Sequence, residues 1–239
     1  MILDISCQPI GFKESQLKFE RVANAYKSKE KIVMAYLNDN NIGKDQFEVF
    51  FRAFKREEIF EVWGKQKNEN VFHLLQTYPI CASSGVLGPK RKEGDLQVPE
   101  GFYEIDKFNP LSSYHLAFRV NYPNSSDRIL SNKTQPGSDI YVHGKCCTIG
   151  CLPMTDDFMN EIYIFAVEAR NNGQKSIPVH IFPTHLNAEN FEKLHKEFSD
   201  QESLISFWKG LQSAYFYFEE NKILPKILVQ KDGAYKIQE

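Results

Sequence analysis

The segment from His143 to Cys151 brings together residue types that can carry out nucleophilic chemistry. A cysteine becomes a useful nucleophile when a base removes its proton or a nearby cation stabilises the thiolate. His143 stands at the end of a predicted strand, and a short loop returns to Cys151, so imidazole and sulfur could lie within reach of each other. Gly150 would let the chain turn sharply before Cys151. The backbone N–H of Cys151 and its neighbours could then face a developing oxyanion.

Three other interpretations of the cysteine cluster remain open at this point. His143, Cys146, Cys147 and Cys151 are residue types that can bind zinc, although no paired CxxC is present. A disulfide within the cluster is the second interpretation. Buried, unreactive thiols are the third, and this is the one favoured for Cys146 and Cys147 taken singly. Cys81 ends a predicted strand, where a packed thiol is expected, and the chain has five cysteines, an odd number.

The elements that must position these residues can be predicted from hydrophobic spacing. Helical spacing predicts a helix over Ser15–Leu37, and Thr155 is predicted to cap a helix whose first turn contains Asp156 and Asp157. The positive end of that helix is expected near the Cys151 thiolate. Alternation of apolar and polar residues predicts a β-rich middle, with strands over 47–51, 59–63, 71–80, 101–106, 114–121, 139–143 and 177–182. The tail is predicted to form helices over 188–198 and 203–220 and a last short strand over 227–229. The expected fold class is α+β.

Composition bounds the function classes. The chain has 239 residues, of which 42% are hydrophobic and 25% charged, which is ordinary for a globular protein. The formal net charge of −2 gives no basic field for nucleic acid. No apolar run reaches the roughly 20 residues that span a bilayer. The stretch Met1–Cys7 is too short and too acidic for a signal peptide, so an exported protein would be represented without its leader.

The catalytic segment resembles the L,D-transpeptidase motif, a His-Gly followed by Ser/Thr-x-Gly-Cys. The matching residues are His143-Gly144 and Thr148-Ile149-Gly150-Cys151. The short loop between histidine and cysteine is similar to that of the YafK-type branch. Further runs are similar to the same branch, namely Tyr78-Pro79-Ile80-Cys81, Ser84-Gly85, Leu87-Gly88-Pro89-Lys90, Pro99–Tyr103, Asn121–Asn124 and Gly150–Thr155. The resemblance extends from about Phe47 to Pro183.

The resemblance implies acyl transfer or hydrolysis on peptidoglycan stem peptides, at the amide after meso-diaminopimelate. Carried over residue by residue, Cys151 is the nucleophile and His143 the base. The Gly144 carbonyl orients the imidazole, and Gly150 and Cys151 supply oxyanion donors. The resemblance also implies a periplasmic or cell-envelope location, no cofactor, no metal, and as partners peptidoglycan stem peptides or protein linked to peptidoglycan.

The sequence departs from most of the family after the cysteine. Leu152-Pro153-Met154 stands where an arginine or asparagine is usual. Because such residues usually grip the substrate carboxylate, the departure leaves transferase and hydrolase outcomes open. It also keeps an alternative function in view, a non-catalytic peptidoglycan-binding module with a decayed site.

Several other residues are candidates for roles around the site. Thr148 could hydrogen-bond within the catalytic loop. Tyr103 could flank the substrate or belong to the core. Lys90 could bind a carboxylate, although a solvated charge is the favoured interpretation. Arg128 could grip substrate, although a local pair with Asp127 is favoured. The expected organisation is a helical extension over 1–45, a catalytic domain over 46–185 and a helical subdomain with a short strand over 186–239.

Overall fold

A computed structural model of the protein describes residues 11–238. The expectation for the N-terminal stretch, Met1–Cys7, falls outside these residues. Six helices are present in the described part of the chain: α1 (Phe12–Leu17), α2 (Glu20–Asp39), α3 (Ser125–Leu130), α4 (Asp156–Asn171), α5 (Ala188–Glu197) and α6 (Glu202–Asn221). None of them is both long and apolar enough to cross a membrane.

A curled eight-stranded sheet forms the centre of the fold. Its strands are β1 (Phe47–Phe54), β2 (Ile59–Gln66), β3 (His73–Pro79), β4 (Gly101–Asn109), β5 (Ala117–Val120), β6 (Tyr141–His143), β7 (Leu152–Pro153) and β8 (Pro178–Phe182). Their spatial order is β3-β2-β1-β8-β4-β5-β6-β7. The β1–β8 and β6–β7 pairs are parallel, and the other neighbours are antiparallel. A separate hairpin follows α6, formed by β9 (Lys226–Val229) and β10 (Tyr235–Gln238).

Strand β1 shows why the sheet is covered on both faces. Phe47, Val49 and Phe51 point into the main core with α2 and α4. Phe50 and Phe54, on the opposite face, contact residues of α6. Side chains of a strand alternate between the two faces, so a strand that is apolar at successive positions requires a cover on each side.

Helix α4 is the central helix of the main core. The Thr155 hydroxyl accepts a hydrogen bond from the Phe158 N–H at 3.2 Å, which is the predicted N-cap. From Met159 to Ala169 nearly every side chain is buried, because α4 lies between the sheet and the pair α1 and α2. The N-terminal helices therefore share one core with the sheet, and the division of the chain at residues 45 and 185 stays a prediction.

The predicted α+β class is confirmed. The strands predicted over 47–51 and 59–63 are β1 and β2, which pair as an antiparallel hairpin. The helix predicted over Ser15–Leu37 is instead two helices, with a break at Lys18 and Phe19. The sequence analysis missed α3, β7 and β10. Periodicity gives no signal for a two-residue strand such as β7, and α3 has only six residues.

Candidate active site

The parallel pair β6–β7 brings His143 and Cys151 to one cavity. Val142 pairs with Leu152 and His143 with Pro153, and Cys151 comes directly before β7. In this register Cys151 lies beside Tyr141, two positions from His143 along the neighbouring strand. From ideal strand geometry, the Cα atoms of His143 and Cys151 are then about 8 Å apart. Both line a cavity of about 650 Å³.

The imidazole of His143 is held in one orientation. Its Nδ1 lies 2.5 Å from the carbonyl oxygen of Gly144. A carbonyl can only accept, so Nδ1 carries the proton and Nε2 is left as the basic nitrogen. The Tyr114 ring lies against the imidazole, with centroids 4.9 Å apart. Burial lowers the pKa of His143 below 6.5, and the Gly144 carbonyl opposes part of this shift.

Gly144 occupies a position that cannot accommodate a side chain. A Cβ there would lie 2.5 Å from Asp156 Oδ1 and 2.8 Å from the Cβ of His115. The Gly144 N–H donates to the Leu116 carbonyl at 3.1 Å, and the next N–H, of Lys145, donates to Asp156 Oδ1 at 2.8 Å. Close approach of neighbours on both sides therefore requires glycine here and fixes the carbonyl that contacts His143.

The Cys151 sulfur is bound by backbone groups rather than by the imidazole. The Tyr141 N–H donates to Sγ at 3.4 Å, and Sγ lies 3.8 Å from the Asp139 carbonyl, which can accept the thiol proton. Burial raises the pKa of the Cys151 thiol above its ordinary value, while the Tyr141 N–H and the charge of Lys90 act in the opposite direction. The positive end of α4, which was expected to stabilise a thiolate, therefore does not outweigh the effect of burial on the pKa of Cys151. Both pKa shifts favour the neutral forms of the thiol and the imidazole.

The Thr148 side chain closes the turn before Cys151. Its Oγ1 accepts from the N–H groups of Gly150 at 3.0 Å and Cys151 at 2.8 Å, and it donates to the Cys151 carbonyl at 2.8 Å. The sequence analysis expected these two N–H groups to be open oxyanion donors. The structure bonds both of them to Thr148, because a hydroxyl two to three residues upstream competes for the backbone N–H groups of a turn.

The cysteine cluster differs from the expectations. Cys146 forms a disulfide with Cys81, with Cα atoms 5.3 Å apart and a sequence separation of 65. Cys81 is thus not a packed thiol, and Cys146 is neither a buried thiol nor a free zinc ligand. Cys147 is an exposed free thiol rather than a buried one. The disulfide joins the cluster to the end of β3 rather than closing within it.

Charged side chains of both signs line the cavity with Cys151. Lys90 is the buried one, and Glu93 and Asp139 are exposed. The Lys90 ammonium donates to Asp95 Oδ1 at 2.6 Å and to the Lys92 carbonyl at 3.1 Å, which corrects its interpretation as a solvated charge. Its turn is fixed further by the Asp95 carboxylate, which accepts from three backbone N–H groups, those of Arg91, Lys92 and Gln97.

A buried network anchors the loop that bears Lys90. The Lys55 ammonium pairs with Glu100 at 3.0 Å and donates to the carbonyls of Val86, Gly88 and Val98. Glu100 also accepts from the indole N–H of Trp208 at 2.6 Å. The Trp208 indole therefore links α6 to the buried pair of Glu100 and Lys55.

Two other predicted substrate contacts lie elsewhere. Tyr103 is in the core, where its hydroxyl donates to Asp127 at 2.9 Å and to the Glu100 carbonyl at 3.1 Å. Arg128 is exposed and is not among the residues that line the cavity. The predicted pair of Asp127 with Arg128 is also corrected, because Asp127 pairs with Arg91 at 3.2 Å.

Similarity to known proteins agrees with this geometry. Residues 54–181 match the model of the YkuD family, the L,D-transpeptidase catalytic domain. The chain belongs to the L,D-transpeptidase family. An Escherichia coli K12 protein named "Putative L,D-transpeptidase YafK" is 34% identical over 183 residues, which are 76% of this chain and 70% of that protein.

Two solved structures are also similar to this L,D-transpeptidase-family chain. The helical cell shape determining protein Pgp2 from Campylobacter jejuni is 20% identical, with 78% of this chain and 74% of that chain covered and a TM-score of 0.47. Bd1075 from Bdellovibrio bacteriovorus is 16% identical, with 79% of each chain covered and a TM-score of 0.42.

Two features of the site escaped the sequence analysis. Tyr114 covers the His143 ring, but it belongs to an irregular loop between β4 and β5 and has no motif around it. The partner of Cys146 also had no local signal, because disulfide pairing depends on which chain segments the fold brings together.

Proposed function

We propose that this member of the L,D-transpeptidase family is a cysteine enzyme that acts on peptidoglycan stem peptides, with Cys151 as nucleophile and His143 as base. The observation that carries the proposal is the pair β6–β7. It presents to one cavity a cysteine and a histidine whose Nδ1 is already committed to the Gly144 carbonyl. A fixed tautomer with Nε2 unprotonated is what a general base requires.

The reaction follows from the protonation states. Cys151 Sγ attacks the scissile carbonyl carbon while its proton passes to His143 Nε2. The protonated imidazole then gives that proton to the leaving amine, the C–N bond breaks, and a thioester to Cys151 remains. Water or an acceptor amine attacks the thioester, His143 removes its proton, and the thiol leaves again.

Negative charge develops beside Cys151 during both steps. Lys90 supports it through space, since its charge already favours the thiolate form of Cys151. The N–H groups of Gly150 and Cys151 both donate to the Thr148 hydroxyl, so we assign Thr148 a positioning role in the loop.

The cavity suits a zwitterionic peptide residue. It is lined by one buried cation, Lys90, and by the carboxylates of Glu93 and Asp139. The meso-diaminopimelate residue has both a carboxylate and an ammonium on its side chain, so opposite charges at the cavity wall can recognise both. The family resemblance, rather than the cavity, implies that the substrate amide is the one that follows this residue.

The disulfide supports a location in the cell envelope. Disulfides persist in oxidising compartments such as the periplasm and are rare in the cytosol. The Cys81–Cys146 bond is therefore consistent with a protein that folds where peptidoglycan is accessible.

The test uses defined muropeptides and protein-linked peptidoglycan, with products identified by mass spectrometry for wild type and Cys151→Ala. New cross-links or exchange of a D-amino acid would identify a transferase. Loss of a terminal residue would identify a carboxypeptidase, and release of linked protein an amidase. Turnover that survives Cys151→Ala would overturn the proposal. Binding to cell-wall material without turnover by folded wild type would favour the non-catalytic module.

A further inference from the structure

Cys81 holds both arms of the loop that carries the nucleophile. Its N–H donates to the carbonyl of Pro153 at 3.0 Å, on the arm that follows Cys151. Its sulfur is bonded to Cys146, on the arm that precedes Cys151. One residue at the end of β3 therefore fixes the loop on either side of the reacting sulfur.

The rest of the loop has few other attachments. Cys146, Cys147 and Ile149 are exposed, so burial of apolar surface contributes little there. Lys145 is attached through its N–H to Asp156 and through its ammonium to the Ser113 carbonyl at 2.8 Å. Beyond Lys145, the bonds are short-range ones, chiefly those of the Thr148 hydroxyl. The disulfide is the covalent link between this exposed stretch and the sheet.

We propose that Cys81 and Cys146 are positioning residues, whose disulfide holds the loop so that Thr148 can fix the backbone of Cys151 against the cavity. The inference rests on the proposed function of Cys151 and adds a requirement to it. Acyl transfer needs the oxidised Cys81–Cys146 pair, and reduction loosens the loop while the core remains folded. Neither residue belongs to the hydrophobic clusters of the described chain, so we expect reduction to act on the loop rather than on the core.

Reduction is chemically accessible. Cys146 is exposed and Cys81 is half-buried, so a small dithiol can reach the sulfurs. One molecule of dithiothreitol supplies two electrons and two protons, cleaves the S–S bond to two thiols and becomes a cyclic disulfide. No other reactant is needed, and an oxidant such as oxidised glutathione reverses the step.

The experiment compares four preparations on the same muropeptide: oxidised wild type, wild type reduced and desalted, Cys81→Ser/Cys146→Ser, and Cys147→Ser. The reduced wild type and the double variant are expected to lose roughly 10- to 100-fold in kcat with little change in KM, because misplacement of a reacting group affects the chemical step. Reoxidation of wild type is expected to restore kcat. Cys147→Ser, which keeps the disulfide, is expected to keep the response to reductant.

A second readout does not depend on turnover. The rate of iodoacetamide alkylation at Cys151 is followed against pH, with fragment-ion mass spectrometry to separate it from Cys146 and Cys147. Reduction is expected to shift the half-maximal pH downward, because a loosened loop exposes a sulfur whose pKa burial raises. A merely structural disulfide would change thermal stability and leave this profile unchanged.

The outcomes separate the two proposals. Full kcat and an unchanged alkylation profile after complete reduction would overturn the positioning role and leave the proposed function standing. A shifted profile in a protein that turns over no substrate in any state would sustain the positioning role and remove the function. If the double variant fails to fold, the reduction and reoxidation of wild type decides.

Discussion

The hydroxyl of Thr148 and the backbone of Cys151 are hydrogen-bonded in both directions. Oγ1 accepts from the Cys151 N–H and donates to the Cys151 carbonyl, each at 2.8 Å. The same oxygen accepts from the Gly150 N–H at 3.0 Å. Cys151 therefore stands in a turn closed by one side chain three residues earlier, and its orientation depends on that hydroxyl.

Thr148→Val removes the hydroxyl and keeps the shape. Two N–H groups then lose their acceptor, at about 1–3 kcal/mol for a buried donor, so we expect kcat to fall roughly 10- to 100-fold. Thr148→Ser keeps the hydroxyl and is the matched control, expected within about threefold of wild type. Steady-state kinetics on one muropeptide compares them. Equal activity of the valine and serine variants would remove the positioning role of Thr148.

Gly144→Ala places a Cβ 2.5 Å from Asp156 Oδ1 and 2.8 Å from the Cβ of His115. The backbone must shift, and the carbonyl that orients His143 shifts with it, so we expect kcat/KM to fall at least tenfold, about 1.4 kcal/mol. Gly210→Ala, within α6, is the matched control. A Cβ at Gly210 would have ordinary van der Waals room, because its nearest neighbour, the Tyr235 carbonyl oxygen, would be 3.6 Å away. That variant is expected to raise the free energy of unfolding by about 0.4–1 kcal/mol. Wild-type kinetics for Gly144→Ala would contradict the account of the histidine.

The pH dependence follows from the two shifted groups. Burial lowers the pKa of His143 below 6.5, so the neutral base persists below that pH and the acidic limb of kcat/KM should lie there. Burial raises the pKa of Cys151, so alkylation without substrate should keep accelerating above the ordinary pH range of a free thiol. In His143→Gln the acidic limb should disappear along with most activity. An acidic limb at or above pH 6.5 would contradict the lowered pKa of His143.

We expect the burial of His180 to lower the free energy of unfolding in acid. It lies between the rings of Phe50 and Phe102, and burial lowers its pKa to about 3, with Arg52 acting in the same direction. Between pH 6.5 and 3 the unfolded chain binds a proton that the folded one does not. The contribution of neutral His180 to the free energy of unfolding is therefore complete above pH 6.5. It is lost as the pH falls, at about 1.4 kcal/mol per pH unit within that window.

The variant that tests this linkage is His180→Leu. Denaturant titrations at several pH values should give a shallower fall in unfolding free energy between pH 6.5 and 4 than for wild type. The comparison of slopes isolates His180 from Asp127, whose pKa burial raises to about 6 and whose effect on stability has the opposite sign. Identical slopes for the two proteins would contradict the assignment.

The segment from His143 to Cys151 could be recognised from the sequence because its pattern is local. His143, Gly144, Thr148 and Cys151 are within one loop, and the strand–loop pattern that presents them has a recognisable spacing. The alternating pattern of β1 and the cap at Thr155 are local for the same reason. Patterns of this kind depend on neighbours along the chain, so one sequence is enough to find them.

The other features of the site depend on tertiary contacts that could not be predicted from the sequence. Cys81 finds Cys146 only because β3 ends beside the catalytic loop, and Lys90 is paired and buried only because Asp95 folds back onto it. Tyr103 fits the alternating pattern of its strand, which does not show whether its side chain faces the substrate or the core. In the structure its hydroxyl donates to Asp127, a residue from another part of the chain. Burial and pairing of polar groups are tertiary events, so each of these side chains was uncertain or wrong until the fold was known.

The most direct test of the central claim is the intact mass of the protein, quenched in acid during turnover of a muropeptide. We expect an adduct with the mass of the acyl fragment, located on Cys151 by fragmentation and absent from Cys151→Ser. We also expect His143→Gln to form the adduct far more slowly. Product formation without any adduct, or an adduct on another residue, would contradict the assignment of Cys151 as nucleophile.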